Sequence, residues 1–556
     1  MTKKVSARTG GKVLIDALVN NRVDHVFCVP GESYLAALDA MYDAPEIDLH
    51  VTRNEAGAAY MADAYGKLTG RPGICFVTRG PGATNASPGL HVAFQDSTPM
   101  IVFIGQVARA DADREAFQEI DYRRMFGPVT KWVAQIEDAA RIPEYVNRAF
   151  TTAMSGRPGP VVLALPEDML TDVVEVVDLP EAPHVVTQPG ALDVQRALEL
   201  LESAKRPLVV VGGGGWSEQA RKDVEQFAEM WNVPVATSFR CQDYFDNNHA
   251  NYVGDLGIGI SPGLSTRMKE ADVLLVIGAR LGEMTTRNYS LVAIPNPQQQ
   301  LIHVHSAAEE LGSVYYPTIP IHSTPSAFAS ALAQSRPKGT VTWADRVHEA
   351  RQEFLDWTAP TETPADRAVD PAALIHWLNE QLPDDAIICN GAGNYTGWIH
   401  RYYRYRTFRS QLAPTNGAMG YGVPASVAAK LVHPDRTVVA VAGDGCFMMN
   451  GQELATAMQY DANIIVIVMN NSMLGTIRMH QERTYPNRVI STQLRNPDFV
   501  ALAQSYGAHG ELVTATEQFA DAFTRAREAG RPALIEVRLD QEAISHNITL
   551  TALLNQ

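Results

Sequence analysis

The chain has 556 residues, 46% of them hydrophobic and 19% charged, with a formal net charge of −16 at pH 7. That length holds about three or four domains with sizeable cores, and so large a negative excess repels phosphate backbones and anionic lipid, which excludes nucleic-acid or membrane-surface binding as a main role. The cysteines Cys28, Cys75, Cys241, Cys389 and Cys446 form no CxxC pair and read as free thiols of a reducing cytoplasm.

The N-terminal stretch reads as a helix and not a signal peptide, because Asp16, Asn20 and Asn21 interrupt its apolar positions. No run of about 18 apolar residues predicts a membrane span. Short β-branched runs then alternate with helical patterns. HVFCVP, GICFVT, MIVFIGQV and GPVVLALP come first, PLVVVGGG, DVLLVIGA and QLIHVHS next, and AIICNG, TVVAVAG, NIIVIVMN and ALIEVRL last. The alternation predicts an α/β fold of three doubly wound parallel-sheet domains. Residues 178–191 and 335–371, rich in Pro and acidic side chains, read as linkers and give expected domains at 1–180, 190–335 and 365–556. The first and last thirds echo one another, as two similar domains flanking a different one would.

Several stretches carry chemistry. In LHVTRNEAGAAYMADAYGKLTGRPG, Glu55 opens an Ala-rich helix after a strand. Small residues around it imply tight packing, where a carboxylate is costly unless used, although a Glu at a helix N-terminus is also favoured by the macrodipole. NGAMGYGVPASVAAK sets Met419 among glycines, a place where Met is ordinarily core filler. In VVAVAGDGCFMMNGQELATAMQYDANIIVIVMNN, VVAVA predicts a buried strand, GDG a tight turn, ELATAMQY a helix and NIIVIVMN the next strand. Asp444 and Asn471 then lie at the carboxyl ends of neighbouring strands, the edge where such sheets hold ligands. Their oxygens suit Mg²⁺ or Ca²⁺ and leave positions for phosphate oxygens, while Gly443 and Gly445 let backbone N–H groups approach closely. GDG alone is more often an ordinary Asp-Gly turn with a polar loop.

GDG followed at this interval by NN resembles the thiamine diphosphate motif of thiamine-dependent enzymes. The resemblance implies a metal held by Asp444, Asn471 and the backbone carbonyl of Met473, with Gly443, Gly445 and Cys446 at the diphosphate. RNE before the Ala-rich helix and GPGATN after the next strand resemble the pyrimidine-binding domain of the same family. They imply that Glu55 drives the pyrimidine to its imino tautomer and that Thr78 and Asn85 contact the cofactor. Gly417 and Met419 match the bulky wedge that bends the cofactor, and Ala392, Gly393, Asn394 and Tyr395 of GAGNYTGW match the diphosphate-side loop. In this family the two binding domains meet across a subunit interface, so a homodimer or homotetramer is expected.

Within the family, FVTRGPGATN, AFQDSTPMIVFIGQV, REAFQEIDYRRMFGPVTKW and SGRPGPVVLALPEDM resemble the acetolactate synthase catalytic subunit over essentially the whole chain. This implies decarboxylation of a small 2-oxo acid such as pyruvate and joining of the enamine to a second carbonyl compound. Pro30, Gly31, Phe117 and Gln118 would line the reacting pocket. His91 stands where a small residue is usual, as a proton donor or as an ordinary helix residue. Three positions depart from the pattern: Glu167 replaces a Lys, His480 a Trp, and Glu32 the last Gly of PGG, which puts acetolactate itself as product in doubt. In the middle third, VVVGGGGW, VGDLGIG and VIGARLGEMTTR resemble FAD-binding turns with Arg157 and Arg280 as phosphate contacts. The usual Asp and Arg after GAR are absent, so FAD, an adenine nucleotide and an empty site stay open. The alternatives in function are a simple 2-oxo acid decarboxylase, a 2-hydroxyacyl-CoA lyase and a non-catalytic adenylate-binding regulatory protein.

Overall fold

A computed structural model describes residues 6–360 and 368–555. Residues 361–367, inside the second linker-like stretch, and the first five residues lie outside the described residues. The chain divides into two compact units, one running to residue 185 and taking in residues 427–432, the other comprising 186–426 and 433 onward.

The first unit is built on a six-stranded parallel sheet: β1 (His25–Cys28), β2 (Asp48–Val51), β3 (Gly73–Val77), β4 (Met100–Gln106), β5 (Trp132–Gln135) and β6 (Pro160–Pro166), in the order β2-β1-β3-β4-β6-β5. β3, β4 and β6 are buried along their whole length. Helices cover both faces of such a sheet, which is why these strands read as unbroken apolar runs and not as alternating ones. Phe76 and Phe103 stack at 4.6 Å between centroids with no exposed surface, each contributing about 2–3 kcal/mol by burial.

The second unit carries two more such sheets. The central one holds β7 (Pro207–Val211), β8 (Val235–Thr237), β9 (Tyr252–Asp255), β10 (Val273–Ile277), β11 (Gln300–His305) and β12 (Ile319–His322), ordered β9-β8-β7-β10-β11-β12. Val209 and Val211 feed one core, Leu208 and Val210 the other, as the two-residue strand period requires. The C-terminal sheet holds β13 (Ile387–Asn390), β14 (Gln411–Leu412), β15 (Val438–Gly443), β16 (Ile465–Asn470), β17 (His509–Val513) and β18 (Ala533–Arg538), ordered β14-β13-β15-β16-β18-β17. Its strand order repeats that of the first unit, while the central sheet is wound differently.

Within the second unit a polar seam joins the central and C-terminal sheets. Asp243 accepts the N–H groups of Ser410 and Gln411 at 3.0 and 3.2 Å, and burial lifts its carboxyl to about 6. The Asn247 N–H donates to the Tyr405 carbonyl, and the Tyr405 N–H donates back to Asn247 Oδ1, each at 2.9 Å. Within residues 335–371, read from the sequence as a linker, a helix forms at Ala344–Trp357, and its Val347 and Phe354 pack into the central core. Among the described residues no helix is long and apolar enough to cross a membrane.

Sheet topology places the ligand edges. In both repeated sheets the winding direction reverses between the first and third strands, β1 and β3 in one, β13 and β15 in the other. A crevice opens outside the carboxyl ends of strands at such a point.

Candidate active site

At the reversal between β13 and β15, β15 runs without a loop into α1 (Asp444–Asn450). Asp444 is therefore both a strand-end and a first-turn residue, and it is only 2% exposed. Burial raises its carboxyl above the usual range, opposed by a hydrogen bond from Asn496. The helix expected over ELATAMQY is present as Leu454–Gln459, and the turn Gly451–Glu453 separates it from the helix that Asp444 opens.

The two asparagines at the end of β16, Asn470 in its last position and Asn471 just after it, have different fates. Asn470 is engaged at both ends within the protein: its Nδ2 donates to the buried Glu536 at 2.9 Å, and its Oδ1 accepts from Ser472 N at 3.0 Å and from Asn496 Nδ2 at 3.0 Å. Among the described residues Asn471 Oδ1 accepts a single hydrogen bond, from the Met473 N–H at 3.2 Å, and Asn471 lines a cavity of about 240 Å³. An amide oxygen has two lone pairs, so this one keeps capacity for a cation. Asp444 and Met473 line the same cavity. Among the described residues no three His, Cys, Asp or Glu side chains cluster to hold a metal. A hard cation here has to be met by one carboxylate with amide and carbonyl oxygens, a donor set that suits Mg²⁺ bound partly by phosphate.

The remaining expected residues of this unit, Ala392, Gly393, Asn394, Tyr395, Gly417, Met419, Gly443, Gly445 and Cys446, line that cavity too. Tyr395 accepts the Gly391 N–H at 3.0 Å and donates to Cys446 Sγ at 3.3 Å, which in turn accepts from Gly420 N. Those bonds tie three loops into one wall. Glycine at 445 has a packing reason beyond phosphate approach, since a Cβ there would lie 2.8 Å from Leu474 Cδ2. The Asn394 side chain also ties the wall together: its Nδ2 donates to the Ile544 carbonyl at 2.8 Å and its Oδ1 accepts from Thr476 Oγ1 at 3.0 Å. His480 does not line the cavity and is exposed on α2 (Gly475–Thr484).

In the first unit, Glu55 opens α3 (Glu55–Thr69), capped by Asn54. It is 9% exposed and accepts Asn85 Nδ2 at 3.0 Å. A Cβ at Gly82 would sit 2.8 Å from Thr78 Cγ2 and 3.2 Å from Glu55 Oε1, so Thr78 and Glu55 form one surface. Gly31 presses on Thr78, and Ser33 Oγ pairs with Thr78 Oγ1 at 2.9 Å, which fixes the Pro30-Gly31 turn. The structure thus gathers Pro30, Gly31, Glu55, Thr78 and Asn85.

Gln118 reaches this edge through its backbone: its carbonyl accepts the Gly80 N–H at 2.9 Å and its φ is +64°. Asp113 and Glu115 share positive φ, and Glu119 clamps the loop by accepting the Asp113 and Ala116 N–H groups. Non-glycine residues held this way store strain typical of ligand-clamping loops. Phe117 is 71% exposed beside it. His91 lies on the exposed face of the helix Gly80–Asp96, apart from the Glu55 surface. Glu32 and Glu167 come together on Arg79.

In the central domain, a cavity of about 480 Å³ is lined by Gly257, Ile258, Gly259 and Met284. Arg280 follows β10 but is outside that lining. Arg157, expected as a phosphate contact, belongs to the first unit, where it donates to Ser97 Oγ at 2.9 Å and to the Phe94 carbonyl at 2.6 Å. It braces a helix end.

Sequence reasoning misses Asn496. Its amide donates to Asp444 Oδ2 at 2.7 Å and Asn470 Oδ1 at 3.0 Å, and its segment is zipped to the Asn471 loop by Leu474 N to Thr492 O and Leu494 N to Ser472 O. An Asn-Pro pair in a loop carries no signal for such a contact. Thr476 and Ile544, which hold Asn394, are likewise read only from the structure.

Family models match all three domains: the thiamine pyrophosphate enzyme N-terminal TPP binding domain over residues 8–125, the central domain over 194–332, and the C-terminal TPP binding domain over 391–537. Among curated proteins, the probable acetolactate synthase large subunit of Methanocaldococcus jannaschii is 31% identical over 96% of this chain and 92% of its own. The acetolactate synthase large subunits of Corynebacterium glutamicum and Lactococcus lactis are each 32% identical over 96% of this chain, covering 87% and 93% of theirs. The chain belongs to the thiamine pyrophosphate enzyme family, close to the acetolactate synthase large subunits.

Proposed function

We propose that this enzyme binds thiamine diphosphate and Mg²⁺, decarboxylates a small 2-oxo acid such as pyruvate, and joins the acyl unit to a second carbonyl compound. The observation that supports this most is the division of labour at Asn470 and Asn471: the first is hydrogen-bonded through both its amide nitrogen and its oxygen inside the protein, and the second lines the cavity beside a buried Asp444. Asp444, Asn471 and the Met473 carbonyl would hold the metal. The bound cofactor supplies an electron sink for the pair released when carbon dioxide departs. Glu55 would hold and return a proton at the pyrimidine, with Asn85 fixing its carboxylate. Met419 would shape the bound cofactor, and Gln118 and Pro30-Gly31 would exclude water from the reacting carbonyl.

We take the working assembly to be a homodimer or homotetramer and its compartment the cytoplasm, following the family. Family membership sets aside the non-catalytic adenylate-binding alternative. The visible absorbance of the purified protein separates FAD from an adenine nucleotide in the central domain. The test of function is incubation of protein, thiamine diphosphate, Mg²⁺ and pyruvate with carbonyl acceptors, with products identified by mass. Joined products support the reading; aldehyde alone identifies a decarboxylase, acyl-CoA-dependent turnover a lyase, and absence of cofactor binding by calorimetry sinks all three.

Asn496→Ala should weaken Mg²⁺ binding in the presence of thiamine diphosphate by about 10–100-fold, the usual effect of losing a group that orients a metal ligand. Asn496 also holds down the Asp444 carboxyl. Without it Asp444 stays protonated to higher pH, and since the metal needs the carboxylate, binding in the variant should fall away at a higher pH than in wild type. Calorimetric titration across pH checks both; identical curves would reduce Asn496 to a packing role.

A further inference from the structure

Three charged side chains stand together on the carboxyl edge of the first unit's sheet, outside the roles given above. Glu32 follows β1, Arg79 follows β3 and Glu167 follows β6. Arg79 Nη2 lies 3.2 Å from Glu167 Oε2 and 3.7 Å from Glu32 Oε1, and its Nη1 donates to the Phe117 carbonyl at 3.4 Å. The Arg79 side chain is 10% exposed, whereas those of Glu167 and Glu32 are 40% and 69% exposed. One cation is thus shared by two anions, and the surplus negative charge lies on the open side. The cluster borders the Glu55 surface, because Thr78, the neighbour of Arg79, packs against Gly31 next to Glu32 and, through Gly82, beside Glu55.

Building on the function proposed above, we infer that Glu32, Arg79 and Glu167 select against an anionic acceptor, so that the second substrate is an uncharged aldehyde or ketone and not a second 2-oxo acid. A guanidinium that already closes two ion pairs has no unmet charge for a substrate carboxylate, and diverting it would strand a carboxylate at the site. Unit like charges a few ångströms apart in a partly screened site disfavour the anion by about ten- to a hundredfold. The donor is anionic too, but it sheds its carboxylate as carbon dioxide before the acceptor reacts, and negative surroundings do not hold back an uncharged leaving molecule. The electron pair left behind forms the bond to the acceptor's carbonyl carbon, and the carbonyl π pair moves to its oxygen, which takes a proton from solvent. The donor's own carbonyl oxygen would take a proton before carbon dioxide departs and return it as the carbonyl re-forms and the hydroxy ketone leaves, so the overall reaction consumes one proton. No oxidant or reductant is needed.

The test gives the holoenzyme pyruvate as donor with propanal and 2-oxobutyrate in competition, and reads the joined products by mass. Because the donor is common, effects on its binding cancel in the ratio. Wild type should favour the propanal product by at least about tenfold, and Glu167→Gln should move the ratio toward the oxo-acid product by about tenfold. Calorimetric binding of thiamine diphosphate should be unchanged in that variant, and the exposed Glu32→Gln provides a second reading should Glu167→Gln fold poorly. A wild-type preference for the oxo acid, or a ratio unmoved in both variants with cofactor binding intact, overturns the inference and leaves the proposed function standing. No carbon dioxide released from pyruvate overturns the function and the inference together.

Discussion

Glu55→Gln should leave thiamine diphosphate and Mg²⁺ binding within about twofold of wild type while lowering turnover by about a thousandfold, within the range that a positioned acid–base group contributes. The geometry makes this substitution clean. Glu55 is 9% exposed at the head of its helix, and its carboxylate accepts one bond from Asn85 at 3.0 Å. A glutamine of the same shape keeps an oxygen for that bond and fits against Thr78 and Gly82, so packing and fold stay as they are. It cannot take up and return a proton. Removing the charge from a nearly buried position also removes a desolvation cost, so the thermal midpoint of the cofactor-free variant should equal or exceed that of wild type. Turnover within about tenfold of wild type would show that the proton passes elsewhere; loss of cofactor binding would show that Glu55 acts as a contact.

How far the sequence reaches depends on what each segment has to bury. Interior strands such as Met100–Gln106 and Pro160–Pro166 are covered on both faces and announce themselves as apolar runs. The edge strands Trp132–Gln135, Ile319–His322 and His509–Val513 carry half-exposed or alternating residues and give no such run. The echo between the first and last thirds reappears as one strand order used twice. At the site, motif residues that sit on strand ends, Asp444 and Asn471 among them, are legible because their spacing follows the β-α-β rhythm. Asn496 is not, because it arrives by a loop whose path no local pattern sets. Glu32 and Glu167 are visible as unusual residues, yet their shared partner Arg79 is a matter of three strand ends meeting, which only the sheet order reveals.

The other large effect belongs to Asp444→Asn, which should weaken metal-dependent binding of thiamine diphosphate by more than about a hundredfold, exceeding the loss typical of groups that merely orient a ligand. The carboxylate is the one anionic donor among the three oxygens assigned to the cation, and the other two, an amide and a carbonyl, do not supply the charge a hard cation favours. Asparagine retains an oxygen for Asn496, whose bond to Asp444 is 2.7 Å, so the floor of the cavity should keep its shape. Stability then separates charge from structure. Burial raises the Asp444 carboxyl above its unfolded value. The folded state therefore holds that proton more tightly than the unfolded chain does, and the stability it brings is complete below the unfolded pKa and lost as pH rises through the folded one. Without metal, the variant's thermal midpoint should match wild type in acid and gain on it as pH rises. With saturating Mg²⁺ and thiamine diphosphate the order should invert, because wild type alone gains the stabilisation of a tightly bound ligand, about 2.7 kcal/mol at a hundred times the dissociation constant. Equal ligand-induced shifts in the two proteins would place the metal on other oxygens.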